Sequence, residues 1–220
     1  MKPGSFLLGG LLHLESKMLY IHHWSLLRNG QLWSDGRLLA AVPADLSASM
    51  EGLHDIYRKA AFNYPKFFKA DGFCKAGLLT VLPWWKTLRA HPRAIQGCML
   101  LFTDSGCHLA DEEHIKGMQN GSPSPAVFVY TLPNILLGEW SILLGWKGFG
   151  SCFLMPSCDV HQIQKIIELH RTDQKETPLL WGWCSAFPDR IAAAAFFCDQ
   201  EATAQPLSCE NIQQILNFTA

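Results

Sequence analysis

Cysteine and histidine bring the most chemistry within reach of this sequence. Eight cysteines stand at positions 74, 98, 107, 152, 158, 184, 198 and 209. No two of them have the C-x-x-C spacing that builds a zinc knuckle or a thioredoxin-type pair, so neither a metal nor a redox cofactor is expected. Cys98, Cys152, Cys184 and Cys198 lie inside apolar runs, where a thiol acts as a small hydrophobe, and that usage fits a reducing cytoplasm. The segment CHLADEEH offers His108, Asp111, Glu112, Glu113 and His114 as ligand-type residues. Adjacent like charges without fixed geometry are what a solvated loop or short helix carries, and that is the expectation here. The tryptophans, notably Trp84-Trp85 and Trp181 with Trp183, suit core or interface anchors better than ligand cages. Alternation along a strand puts Trp181 and Trp183 on one face, which makes that face a candidate partner surface.

These residues must be positioned by a chain of 220 residues with 49% hydrophobic content, enough to bury a substantial core in one domain. Eighteen basic against nineteen acidic residues leave a net charge of −1, spread without basic runs, which argues against a nucleic-acid partner. The apolar run Phe6 to Leu14 contains His13 and precedes Glu15 and Lys17 with no small-residue cleavage site, unlike a signal peptide. No segment reaches the roughly 18 to 20 apolar residues that cross a bilayer. Residues 1–17 are therefore set apart as an N-terminal extension, and 18–220 are expected to form a single domain in the cytoplasm.

Strand and helix periods alternate along that domain. Strands are expected at Met18 to Trp24, Ala94 to Thr103, Gly148 to Met155, Thr177 to Ser185 and Arg190 to Cys198, the last two as neighbours. Turns follow at Arg28-Asn29-Gly30 and Asp104-Ser105-Gly106. Between residues 36 and 64 the pattern is loose, with a short helix near Met50 to Ala61. Phe67 to Trp85 carries apolar residues at the period of a helix packed on one face and closed by Pro83. Residues 107 to 124 are polar, with a short helix at Asp111 to Met118. A helical stripe runs from Thr131 to Gly145, and Asp159 is placed to cap an amphipathic helix reaching His170. The order implies an α/β fold, with a mixed or parallel sheet of about five strands covered by helices.

The stretch SPAVFVYTLPNILLGEWSILLGWKG joins Ser124-Pro125, Thr131, Asn134, Gly138, Gly145, Lys147 and Gly148 in one pattern. It resembles the passage before the nucleophile in condensing enzymes of the β-ketoacyl synthase, thiolase-like family. Phe67 to Leu82, Met99 to Gly106 and Leu179 to Ser185 occupy positions similar to an early helix, a strand with a Ser/Gly loop and a later strand of that family. Together they extend the resemblance over residues 18 to about 198. The chain is similar to the short forms that accompany aryl polyene and flexirubin pigment pathways, and a thiolase-like half-fold is implied.

By that resemblance the strand after Gly148 should deliver a nucleophile to the start of the next helix, where unpaired N–H groups favour thiolate. Ungapped counting from Gly138 reaches Ser157, with Cys158 one residue later, so either could stand there. Asp159 beside Cys158 would oppose ionisation. The family's paired histidines, or His and Asn, belong to a C-terminal half that follows the segment resembled here, and His161 and His170 are expected to serve on a helix surface. The resemblance implies a non-catalytic, chain-length-factor-type subunit. Val127, Phe128, Tyr130, Thr131 and Asn134 would wall the acyl tunnel of a full-length ketosynthase in a heterodimer, and acyl carrier protein would be met indirectly. A weak acyl-transfer enzyme using Cys158 or Ser157 and a stand-alone carrier-protein-binding module are the alternatives. A half-sized fold would expose apolar surface, so obligate association or a covering tail at residues 199 to 220 is expected.

Overall fold

In a computed structural model, residues 18–170 and 177–218 are described. The N-terminal extension at residues 1–17 lies outside them. The sheet forms because three segments are apolar on both faces. In β4 (Cys98–Thr103) all six residues are buried, and β6 (Leu179–Phe187) and β7 (Arg190–Asp199) are buried almost throughout. A strand buried on both faces needs a helical layer on each side. Cys98, Leu100, Phe102, Leu179, Trp181, Trp183, Phe196 and Cys198 point into one core. Met99, Leu101, Leu180, Cys184, Ala193, Ala195 and Phe197 point into the other.

The remaining strands are β1 (Tyr20–Arg28), β2 (Gln31–Ser34), β3 (Arg37–Ala41) and β5 (Gly150–Leu154). The order is β3-β2-β1-β7-β6-β4-β5, and the short β8 (Gln205–Pro206) pairs with β1. β4 runs parallel to β5 and β6, whereas β7 is antiparallel to both β6 and β1. The five expected strands are β1, β4, β5, β6 and β7. The sequence reading passed over β2, β3 and β8, which are two to five residues long and too short to display an alternation. The turn at Asn29-Gly30 is in place, with both residues at positive φ as a tight hairpin requires.

The first helical layer holds α1 (Met50–Lys59), α2 (Gly72–Val81), α3 (Trp85–Arg89) and α6 (Ile135–Leu144), with α4 (His108–Gln119) and α5 (Pro125–Val129) at its rim. The expected one-faced helix from Phe67 to Trp85 is instead three pieces. Asp71 caps α2 by accepting from the Cys74 amide at 2.9 Å, and every residue of α2 is buried, so this helix is enclosed on all sides. Gly77 allows that enclosure: a Cβ there would fall 2.3 Å from Leu136 of α6, while Trp140 Nε1 of α6 donates to the Gly77 carbonyl at 3.1 Å.

The second layer is α7 (Val160–His170) and α8 (Cys209–Leu216), whose Ile163, Ile167, Ile212 and Ile215 cover Trp181 and Phe196. Trp181 and Phe196 stack with centroids 4.1 Å apart. The Trp181/Trp183 face is therefore an internal core and not a partner surface, because the C-terminal segment folds back over it. Ile212→Ala should destabilise the protein by about 2–5 kcal/mol, and Ile142→Ala, exposed on α6, by no more than about 0.5 kcal/mol. Denaturant unfolding of the two variants measures both.

Candidate functional site

Parallel strands bring their C-terminal ends together, and here β4, β5 and β6 do so beside the sheet edge. β4 runs into Asp104-Ser105-Gly106, whose turn is held by Thr103 Oγ1 accepting from the amides of Ser105 at 3.2 Å and Gly106 at 3.0 Å. Ser105 Oγ accepts from the Ala186 amide at 3.0 Å, which ties the turn to β6. Asp104 Oδ2 accepts from Arg190 at 3.0 Å, while its Oδ1 is buried without a hydrogen bond. A Cβ on Gly106 would lie 3.6 Å from Pro133 and 3.9 Å from Leu154, so the Thr131-Leu132-Pro133-Asn134 turn and the end of β5 meet at this point.

Ser157 and Cys158 occupy the turn from β5 into α7. Asp159 caps α7 as expected, its Oδ1 accepting from the amides of His161 at 3.0 Å and Gln162 at 3.1 Å. Burial pushes the Cys158 thiol up to about 12, and the carboxylates of Asp104 and Asp159 add to the rise. The helix end cannot offset that combination. Asp104, which the sequence reading took only as part of a turn, is thus the second acid facing the thiol; its position after a fully buried strand was the available signal. His170 Nδ1 lies 2.9 Å from the Ile166 carbonyl of its own helix, and His161 Nδ1 lies 3.2 Å from Cys209 Sγ. Both histidines are thus engaged with partners other than Cys158.

Val127 and Phe128 lie on α5, with Tyr130 and Thr131 at its end and Asn134 at the start of α6. Phe128 and Tyr130 thus belong to a helix and its C-terminal end, not to a strand. Ser124 Oγ accepts from the Val127 amide and Pro125 opens the helix, a start signal that outweighs the strand propensity of the short apolar run. Phe128 is exposed, and its ring approaches His114 of α4 at 5.3 Å. Tyr130 is half-buried; burial first and Glu139 second push its hydroxyl up to about 12. The CHLADEEH segment is the first two turns of α4, with His108 3.4 Å from Glu112. Among the described residues no group of three or more His, Cys, Asp or Glu is placed to hold a metal ion. No helix among them is long and apolar enough to cross a membrane.

No protein-family model matches the sequence, and no curated protein matches it. Solved structures do. One is a chain of the complex of a ketosynthase, ApeO, with its chain length factor, ApeC, from Xenorhabdus doucetiae, with a TM-score of 0.57, 12% identity and 91% of both chains covered. The fold is that of ketosynthase/chain-length-factor complexes. A second match, the ishigamide ketosynthase/chain length factor, has a TM-score of 0.51 and 11% identity, and covers 86% of this chain and 64% of the other. At these identities the likeness establishes the thiolase-like α/β architecture, with its mixed sheet between helical layers.

The Cys158 environment carries its own prediction. With the thiol near 12, roughly one in ten thousand is ionised at pH 8, so alkylation of Cys158 should run at least about a hundredfold slower than that of a free cysteine. Timed iodoacetamide labelling with peptide mapping reads this rate, and Asp104→Asn should raise it.

Proposed function

We propose that this chain is a non-catalytic, chain-length-factor-type subunit that pairs with a full-length β-ketoacyl-ACP synthase and helps wall its acyl tunnel. Aryl polyene or fatty-acid-like biosynthesis is the setting that the sequence resemblance favours. The observation that carries this reading is the open β5 edge. β5 ends the sheet, and among the described residues nothing pairs with its outer side. An unpaired strand edge is a template for another chain unless charge or bulk protects it.

Here the surroundings are apolar. Leu154 at the end of β5 is 70% exposed, and Phe128, Val129, Leu132 and Ile142 on the adjoining α5 to α6 segment are each about half exposed. On α6, Asn134, Gly138 and Ile142 share the outward stripe, and a Cβ at Gly138 would meet nothing within 4 Å. This surface includes the positions that the family resemblance gives to the tunnel wall. Burying it against a partner would be favourable at roughly 25 cal/mol per Å² of apolar area. Phe128 and Tyr130 are bulky, and bulk at a tunnel wall limits how far an acyl chain extends, because close-packed interiors resist overfilling.

The same geometry argues against the enzyme reading. Decarboxylative condensation needs a nucleophile and groups that stabilise charge on the thioester oxygen. Cys158 is held neutral by burial and by the carboxylates of Asp104 and Asp159. In the complex, acyl carrier protein would deliver its cargo to the synthase and not to this chain.

Co-expression with a full-length β-ketoacyl-ACP synthase tests the proposal. The two chains should co-elute from size exclusion at equal stoichiometry. Leu154→Asp should weaken the complex at least tenfold, about 1.4 kcal/mol, with the melting temperature of the isolated chain unchanged. Independent elution of the wild-type chains would refute the pairing, and stoichiometric loading of Cys158 by a thiol-reactive acyl probe would favour the enzyme.

A further inference from the structure

The contact between the first turn of α7 and α8 pairs a cysteine with a histidine, and it is independent of the proposed subunit role. Cys209 is the first residue of α8, whose Ser208 cap accepts from the Asn211 amide at 3.2 Å. Its Sγ lies 3.2 Å from His161 Nδ1 and 2.8 Å from Gln164 Oε1, with the Val160 carbonyl at 3.8 Å. Gln164 Nε2 donates to Glu168 at 3.0 Å, which fixes the amide with its oxygen toward the sulfur. The thiol proton thus has two acceptors within reach, and one of them is a base.

We propose that Cys209, with His161 as its proton acceptor, is a reactive thiol that exchanges with small-molecule disulfides such as oxidised glutathione, so that the α7–α8 contact is a redox-modifiable site. The other seven cysteines are less suited to such an exchange. Cys74, Cys98, Cys107, Cys184 and Cys198 are buried. Cys152 and Cys158 are half-buried, with burial pushing their thiols up to about 11 and about 12. Burial, then Glu168 and Asp159, also raises Cys209. Attack therefore proceeds by transfer of the proton to His161 at the moment of reaction and not from a standing thiolate.

In the exchange, Cys209 Sγ gives its proton to His161 Nδ1 and bonds to one sulfur of the disulfide. The disulfide's own S–S bond breaks, and the departing thiolate takes the proton back from His161. The added disulfide is the oxidant, reduced to one thiol and one mixed-disulfide sulfur. Because Cys209 Sγ lies against Val160, His161 and Gln164, a bulky adduct would press the first turn of α8 off α7. That loosens the packing of Ile212 and Ile215 over the sheet.

The experiment is a time course of the full chain with oxidised glutathione at neutral pH, followed by peptide mass mapping and thermal melting. Cys209 should carry the first adduct, Cys209→Ser should remove it, and the modified protein should melt lower than the free thiol form. His161→Asn should slow the reaction at least tenfold. Glu168→Gln, at an exposed position, should accelerate it. A first adduct at Cys158 or any other cysteine overturns the proposal, as do wild-type rates in both the His161 and Glu168 variants.

Discussion

Every side chain of β4 is buried, and this double-sided burial is the constraint from which the rest of the molecule follows. A strand without a solvated face cannot lie at a surface, so helices must cover both sides and β6 and β7 must share its character. The alternation of Met99 and Leu101 with Leu100 and Phe102 sorts the core into two halves, one around α2 and α6 and one beneath α7 and α8. Since β4 is parallel to β5 and β6, their C-terminal turns converge. Asp104, Cys158 and the Pro133 turn are neighbours for that reason, although as many as 54 residues separate them in sequence.

That convergence also decides the chemistry. A cysteine at the start of a helix gains from the unpaired amides only if it is solvated or faces positive charge. Cys158 has neither: it is half-buried and faces Asp104 and Asp159. Arg190 is engaged by Asp104 itself. Near this turn, Phe128, Val129, Leu132, Ile142 and Leu154 are exposed beside a strand edge that none of the described residues pairs. That combination is what supports the proposed role as a binding subunit.

The legible parts of the sequence were those with long or self-contained signals. β4, β6 and β7 announced themselves by apolar runs and α7 by its Asp159 cap and amphipathic stripe, while a C-terminal cover was expected only as the alternative to obligate association. Gly145 and Gly148 had reasons that the structure supplies. Gly145 ends α6 at a φ of +71°, and a Cβ on Gly148 would collide with the Gln96 carbonyl at 2.5 Å. The remainder depended on tertiary context. α2 showed a helical period, but its burial on every side comes from neighbours far away in sequence, and the Ser124-Pro125 start of α5 was hidden inside a run with strand propensity. Asp104 and the Cys209–His161 contact rest on long-range proximity, which no local pattern encodes.

Amide hydrogen exchange over residues 150–154, with and without the full-length ketosynthase, tests the central claim most directly. If the β5 edge receives the partner, the outward amides of this strand exchange readily in the isolated chain and become protected in the mixture, while the opposite edge at β3 is unchanged. Unaltered exchange along β5 at concentrations that saturate the partner would contradict the account.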